Sequence, residues 1–427
     1  MKYAQPKGTF DIIPEELKPE DQWKESSRWQ YLESIIRTLV RDYGYQEIRT
    51  PLFEKTELFV RGVGETSDIV SKEMYTFLDK AERSMSLRPE GTASVMRAFV
   101  QGQLQQLGTL HKFFYIGPFF RYDRPQAGRF RQFHQFGIEA IGNGKPEQDF
   151  EVIELLYELY RRLGLKNLKV LLNTLGDASC RTQYKTALLD FLKPHFHTLS
   201  EESQARFSKN PLRILDSKDK NERALLEKAP SILDFLSPES KNHFDALCTL
   251  LKEQSIPFII DPQLVRGLDY YNHTVFEITS DILGAQNTIG AGGRYDGLLP
   301  AVGGPDLPCI GFSTGIERIL QTMEGQKIPF PPKVGPVITL ISLGEAASKK
   351  AFKLLYELRH ASIPSEMISD KKIQKALQLA EKSHTSFVVI LGDEEISKNS
   401  AQVKAMQSRE TLELPLDKLV EHFKKQS

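Results

Sequence analysis

The stretch FRYDRPQAGRFRQFHQFGIEAIG, residues 120–142, restricts the fold more than any other. Phe113–Arg121 reads as an apolar strand and Arg131–Ile141 as an alternating one, with a polar loop between them, which is the pattern of an antiparallel hairpin. Alternate residues of a strand share a face. Phe136, Ile138 and Ala140 therefore pack beneath, while Arg131, Gln135 and Glu139 share the other side with Gly137 leaving room. A carboxylate buried alone on a sheet costs on the order of several kcal/mol, so Glu139 must meet solvent, a protein cation or a ligand donor. Arg121, at the end of the partner strand, is the nearest group to bind an anion above this floor. The loop adds Arg124, Arg129 and Arg131 around Pro125 and Gly128, and guanidinium forks suit phosphate and carboxylate oxygens. A solvated edge hairpin would show the same pattern, and the two readings stand side by side at this level.

Composition narrows the choice. Lys plus Arg equals Asp plus Glu, 56 against 56 in 427 residues, so no net field draws the chain to nucleic acid or membrane; any polyanion site is a local concentration of charge. The length implies two or three domains, and 40% hydrophobic residues support packed cores. Cys180, Cys248 and Cys309 lie far apart without a CxxC pair, which excludes a cysteine zinc site and a disulfide framework and suits a reducing cytosol. The N-terminus MKYAQPKGTFDIIPEELKPED has no apolar signal-peptide core, and no apolar run approaches the roughly 18 residues of a membrane span. A soluble, cytoplasmic protein is expected.

Along the chain, residues 21–42 place Trp29, Leu32, Ile36, Leu39 and Val40 at helical spacing. YGYQEIRTPLFEKTELF reads as a strand stopped by Pro51, and EQDFEVIELLYELYRRLGL as a helix ended by Gly164. From Leu168 to Ser255, after one strand (NLKVLLNT), the texture turns helical and charged, as an inserted module would. Strand character returns at PFIIDPQLVRGLDYYNHTVFEIT, and EGQKIPFPPKVGP is a linker. Beyond it strand, helix, helix and strand alternate, which suggests a small α/β domain.

Several stretches carry candidate chemistry. In SLRPEGTASVMRAFV a helix starts near Glu90–Thr92, whose carboxylate and hydroxyl either begin the helix or hold an ammonium group. LVRGLDYYNHTVFEI sets Arg266 and Gly267 before Tyr270 and Tyr271; adjacent strand residues face opposite ways, so one tyrosine packs and the other lines a cavity. Gly290, Gly292 and Gly293 in IGAGGRYDGLL let backbone approach a ligand, outside any GxGxxG or P-loop context. Arg318 in CIGFSTGIERIL sits in a first helical turn, where the dipole disfavours a cation. There is no HExxH, no GxSxG and no cysteine in a nucleophile setting; His134 and His273 read as packing residues in strands.

Taken together, these stretches resemble the histidyl-tRNA synthetase family of class II aminoacyl-tRNA synthetases, nearly end to end. KGTFDIIPEE resembles the family's N-terminal stretch. IRTPLFEKTELFVRGVGETSDIVSKEMYTF is similar to the first class II motif, a dimer-forming element centred on Pro51. FFYIGPFFRYDRPQAGRFRQFHQFGIEAIG resembles the second motif and IGFSTGIERIL the third. LVRGLDYYNHTVFEI and GAGGRYDGL are similar to the two histidine-specific motifs, LNTLGD and NPLRILDSK to the helical insertion, and the tail to an anticodon-binding domain. Two departures stand out: Ser313–Thr314 replace small apolar residues, and SDKKIQKALQLAEKSH lacks a glycine before its helix.

The resemblance implies an α+β fold: a class II antiparallel sheet flanked by helices, a helical insertion and a C-terminal α/β anticodon-binding domain. The catalytic domain would span 1–167 and 256–325, the insertion 168–255, a linker 326–333 and the anticodon-binding domain 334–427. It implies ATP-dependent activation of histidine to histidyl-adenylate and transfer to the 3′ end of tRNA(His), by a homodimer using ATP and Mg²⁺. Glu90 and Thr92 would hold the α-amino group, helped by Gln135. Glu139 and Tyr271 would bind the imidazole, with Tyr270 and Tyr295 shaping the pocket. Arg121 would grip the α-phosphate, Arg129 the γ-phosphate, and Arg318 would stack on adenine. Arg266 would stand by the carboxylate and α-phosphate, where related enzymes use an extra metal ion, so no protein-only metal cage is expected. Arg266, Arg121 and Gln135 would be the catalytic set. The alternatives are the non-catalytic paralogue that regulates ATP phosphoribosyltransferase, which typically loses motif residues and the tail, and a class II synthetase for proline, threonine or glycine.

Overall fold

The computed structural model describes residues 3–64, 67–123, 128–280 and 287–425. The chain forms two compact units, Met1–Phe330 and Pro331–Ser427.

In the first unit, β1 (Gln46–Glu47) precedes a small sheet of β2 (Phe53–Lys55), β3 (Thr76–Leu78) and β4 (Ser84–Leu87), ordered β2-β4-β3. The main sheet joins β1 to β5 (His111–Phe120), β6 (Gln132–Ile141), β7 (Leu168–Thr174), β8 (Phe258–Ile260), β9 (Asn272–Ser280), β10 (Thr288–Arg294) and β11 (Cys309–Gly315). Its order is β1-β5-β6-β11-β10-β9-β7-β8. Every neighbouring pair from β5 across to β7 is antiparallel, and the edge pairs β1·β5 and β7·β8 are parallel. The antiparallel expectation holds for the centre and gives way at the edges, where the long connections that parallel pairing requires are present.

The hairpin register sets Gln135 opposite Gly117 and Glu139 opposite Phe113, with Gly311 of β11 on the other flank of Glu139. Phe136, Ile138 and Ala140 enter a core shared with the helices Ser26–Asp42, Pro146–Arg162 and Ile316–Gly325. That burial leaves the opposite face of β6 for the site. The segment 168–255 opens with β7, a strand of the main sheet, and its last helix, Pro238–Glu253, places Phe244, Leu247 and Leu251 in the same core.

Some local expectations are corrected. The helix of residues 21–42 begins at Ser26, because Glu25 is extended after a 3₁₀ turn over Pro19–Lys24. The strand expected around Pro51 is two short strands, β1 and β2, and its last residues open the helix Thr56–Val63. The first residues of the glycine-rich stretch form β10, between β9 and β11. A side chain at Gly292 would strike the Gly311 carbonyl and one at Gly293 the Thr274 carbonyl, so neighbouring strands account for these glycines. Gly290 makes room for the Tyr160 hydroxyl.

The second unit is a sheet of β12 (Ile338–Ser342), β13 (Ser365–Ile368), β14 (Phe387–Leu391), β15 (Ser400–Ala405) and β16 (Thr411–Pro415), ordered β13-β12-β14-β15-β16. Three of these strands, β13, β15 and β16, go beyond the strand–helix–helix–strand pattern read from the sequence.

Candidate active site

A cavity of about 750 Å³ opens over the face of the sheet that carries Gln135. Its lining brings together Glu90, Thr92, Arg121, Arg129, Gln135, Arg266, Tyr270, Tyr271, Tyr295 and Arg318. Glu139, 1% exposed, shares that face but is covered and is not among the lining residues. Pro51 is exposed in the segment between β1 and β2, and Arg124 and Pro125 lie outside the described residues. Arg131 leaves the face that alternation assigns it: strand β6 begins only at Gln132, and the guanidinium sits 4.0 Å from the centre of the Tyr122 ring.

One end of the cavity is built from hydroxyls and carboxyls. Glu90 accepts hydrogen bonds from the backbone N–H groups of Thr92 (2.7 Å) and Ala93 (2.8 Å), so it caps the helix Thr92–Gln101 while lining the cavity. Its pKa is raised by burial against the pull of those N–H groups. Thr92 donates to Glu139 at 2.8 Å, and Tyr295 donates to the other carboxyl oxygen. Burial pushes Glu139 up to about 8, with the Tyr295 and Thr92 hydroxyls opposing the rise. The amide of Gln135 donates weakly to Ser313 at 3.4 Å, while its Oε1 is buried without a partner among the described residues. A buried acceptor left free in this way calls for a ligand donor. Tyr270 and Tyr271 both line the cavity, their rings 4.6 Å apart, and the Tyr270 ring stands 5.5 Å from that of Tyr295. The expectation that one of the pair packs is met by Tyr271, which joins the core, yet its ring also lines the cavity, because β9 starts at Asn272 and both tyrosines fall outside the alternation of the strand.

The other end collects guanidinium groups. Arg121 donates to the Pro89 carbonyl at 2.9 Å and lies 5.3 Å from the Phe133 ring centre. Arg318 is held by the carbonyls of Gly128 (3.1 Å) and Thr288 (2.5 Å), and Arg129 pairs with Asp123 at 2.8 Å. Burial lowers the Arg318 pKa, and the nearby charges of Arg129 and Arg121 lower it further; burial likewise lowers Arg121. The three cations crowd one another, which an arriving polyanion would relieve. Arg266 pairs with Glu277, which also accepts from Thr288 at 2.6 Å.

Four site residues escaped the sequence. Tyr115 lines the floor with its ring wedged where side chains at Gly91 and Gly137 would stand. Glu73 lines the cavity beside Arg121 and Arg129, its pKa raised by burial. Glu277 is the partner of Arg266. Asp149, fully buried, pairs with Arg294 at 2.5 Å, takes the Thr274 hydroxyl at 2.6 Å and meets His243 at 2.8 Å. Burial pushes Asp149 up, and His243 and Arg294 outweigh it, leaving its pKa below the usual value. Arg294 also donates to the carbonyls of Asn143 and Lys145, which fixes the backbone next to Tyr295. The departures at Ser313–Thr314 are satisfied polar positions: Thr314 donates to the Ile289 carbonyl at 2.7 Å and bonds the Tyr160 hydroxyl at 2.8 Å. His134 is engaged by the buried Glu317 at 3.0 Å, in keeping with a packing role.

Comparison with known proteins agrees with this geometry. A family model described as histidyl-tRNA synthetase matches residues 15–319, and one described as an anticodon binding domain matches residues 337–426. A histidine–tRNA ligase of Protochlamydia amoebophila (strain UWE25) is 56% identical over 425 residues, covering 99% of this chain and 100% of that protein. One from Geobacillus sp. (strain WCH70) is 48% identical, with 99% of each covered. The crystal structure of apo Staphylococcus aureus histidyl-tRNA synthetase superposes with a TM-score of 0.83 at 37% identity, covering 99% of this chain and 100% of that one.

Proposed function

The chain belongs to the histidyl-tRNA synthetase family, and from that premise we propose how its residues divide the work of a histidine–tRNA ligase. The enzyme uses ATP to activate histidine and transfers the histidyl group to tRNA(His). Glu90 and the free Gln135 oxygen hold the α-amino group, with the Thr92 hydroxyl beside them. Glu139, Tyr271, Tyr270 and Tyr295 form the imidazole pocket. The free oxygen of Gln135, buried in the cavity that three crowded arginines also line, is the observation that carries this assignment. It supports an ammonium group at one end and phosphates at the other.

In the first step a carboxylate oxygen of histidine forms a bond to the α-phosphorus as the bond to the bridging oxygen breaks, releasing pyrophosphate. In the second, a terminal ribose hydroxyl of tRNA takes the acyl group and AMP leaves. Attack of one anion on another needs fixed cations and alignment more than a protein nucleophile. Arg121 and Arg266 supply charge at the α-phosphate and Arg129 at the γ-phosphate, while Arg318 stacks on adenine. Mg²⁺ travels with ATP phosphates on one or two carboxylates and water; Glu73 and Asp123, lining the cavity beside Arg121 and Arg129, are the residues that would share it. Among the described residues no cluster of three ligating side chains forms a cage for a metal. Selectivity follows from buried polar groups that need the imidazole N–H and stay unpaired with other amino acids.

The domain division carries over as a proposal, with 168–255 as the insertion that closes one side of the cavity through Arg206, Arg213 and Lys218. The second unit holds the tRNA anticodon. A homodimer is supported by Leu52, Phe53, Phe77 and Leu78, large apolar side chains exposed around Pro51. Three buried free cysteines suit the cytoplasm, and among the described residues no helix is long and apolar enough to cross a membrane. ATP–pyrophosphate exchange, screened across all amino acids with full-length protein, tests the assignment. Histidine alone should support it; no exchange would favour the regulatory paralogue, and another best substrate would point to a different synthetase.

A further inference from the structure

A second cavity, of about 430 Å³, lies beside the first. Arg181 and Lys185, one turn apart on the helix Ala178–Leu192, form one wall; Lys209 and Arg213 form another, and the segment from Val265 to Tyr271 a third. Five cations line it against one carboxylate, Asp269. Two are neutralised: Arg213 by Asp68 at 2.7 Å and Arg266 by Glu277. Arg181, Lys185 and Lys209 have no ion pair among the described residues, and Asp269 already accepts from the Asn210 amide at 2.7 Å. Arg181 donates to the Tyr271 carbonyl at 3.1 Å, while its Nε is buried without a partner among the described residues. Burial holds the pKa of that guanidinium down, with Asp177 opposing, so its charge is under-compensated.

We propose that this cavity is a second anion site, one that takes a phosphate group next to the catalytic pocket. A guanidinium fork and two flexible ammonium groups converging from separate segments are suited to a tetrahedral oxyanion. The volume falls in the lower part of the range for small-molecule sites. In a chain with 56 cationic and 56 anionic side chains, such an excess is a local concentration of charge that draws anions. Arg213, Arg266, Leu268 and Tyr271 line both cavities, so an anion bound here bears on the loop that carries two residues of the histidine and α-phosphate site. Any such coupling is reciprocal: ligands of one cavity alter affinity in the other. The phosphate belongs either to a free oxyanion or to the backbone of bound RNA; the RNA source rests on the ligase activity proposed above.

The test uses full-length enzyme, with histidine and a non-hydrolysable ATP analogue filling the catalytic pocket. Wild type is compared with the Lys185→Gln/Lys209→Gln double variant, which changes only exposed side chains, and with Arg181→Gln. Inorganic phosphate is titrated by calorimetry, and KM for a tRNA(His) transcript is measured across a salt series. A free-anion site gives saturable phosphate binding that weakens at least about tenfold in the double variant. An RNA-backbone site gives instead a tRNA KM raised about tenfold and a salt slope shallower by about 1.5, two phosphate contacts' worth. In both cases histidine-dependent exchange by the double variant stays at the wild-type level. Phosphate affinity and tRNA KM both within twofold of wild type in every variant would overturn the site. Failure of exchange in wild type would instead remove the ligase assignment and leave the phosphate titration standing.

Discussion

Replacing Glu139 by glutamine should separate what the buried carboxyl costs from what it does. Its pKa stands at about 8 against an ordinary 4.5. An acid whose folded value is raised binds extra protons in the folded state between those two values, so stability falls as pH rises through that window. At about 1.4 kcal/mol per pH unit, the full window is worth about 5 kcal/mol. That is a ceiling, because water and side chains relax around a new charge; about 2–3 kcal/mol is the working figure. Glutamine is neutral throughout and fills nearly the same volume. Its carbonyl oxygen accepts from one hydroxyl, and its NH₂ donates to the other once that hydroxyl turns. Ligand-free Glu139→Gln should therefore match wild type near pH 5 and exceed it near pH 8.5. For a unit the size of Met1–Phe330 the gain is roughly 3–4 °C in Tm. Scanning calorimetry at both pH values reads the difference. In exchange assays the same variant should lose about a hundredfold in kcat/KM for histidine, the scale of one preorganised contact, with KM for ATP little changed. An equal offset in Tm at both pH values would refute the burial penalty, and a defect confined to ATP would refute the pocket assignment.

Arg266→Ala should cut adenylate formation at least about a hundredfold, and a loss under tenfold in single-turnover assays contradicts its role. Asp149→Asn leaves the buried Arg294 with only Asp296, 3.4 Å away, as counter-charge, which should cost about 2–3 kcal/mol of stability and raise KM for histidine through Tyr295. Parallel changes in the ATP and histidine KM values would make the residue merely structural. Removing Val334–Ser427 should spare most of the exchange and cripple tRNA charging; equal loss of both activities would undo the proposed division of labour. Phe53→Asp with Phe77→Asp should yield monomers in sedimentation velocity, and a persistent dimer would move the interface elsewhere.

Alternation alone exposes the hairpin, because one side of β6 is core and the other is not: Phe136 and Ile138 are fully buried, and Gln135 lines a cavity. The helix stop at Gly164 is equally legible, since its φ of 78° suits glycine. At Tyr270 and Tyr271 the period of a strand does not extend past the strand's end, so Tyr271 packs but both rings reach the cavity. Asp149 was missed for a different reason. An acidic residue in a helix's first turn has a sufficient local explanation in the dipole, and only the fold brings Arg294, Thr274 and His243 to it. Tyr115 was unreadable because the two glycines that admit its ring lie on separate elements. In β10, glycines that serve close strand packing look, in sequence, like those that admit a ligand.

The wedge formed by Tyr115, Gly91 and Gly137 has an evolutionary corollary. One aromatic ring occupies the space of two absent side chains, so no single replacement at either glycine can remodel the floor without displacing the ring. Drift toward a larger or differently shaped amino acid would have to pass through a crowded, poorly folded ancestor, or change all three positions together. Laboratory selection for new amino acids should therefore recover mutations among the wall tyrosines and leave this trio untouched.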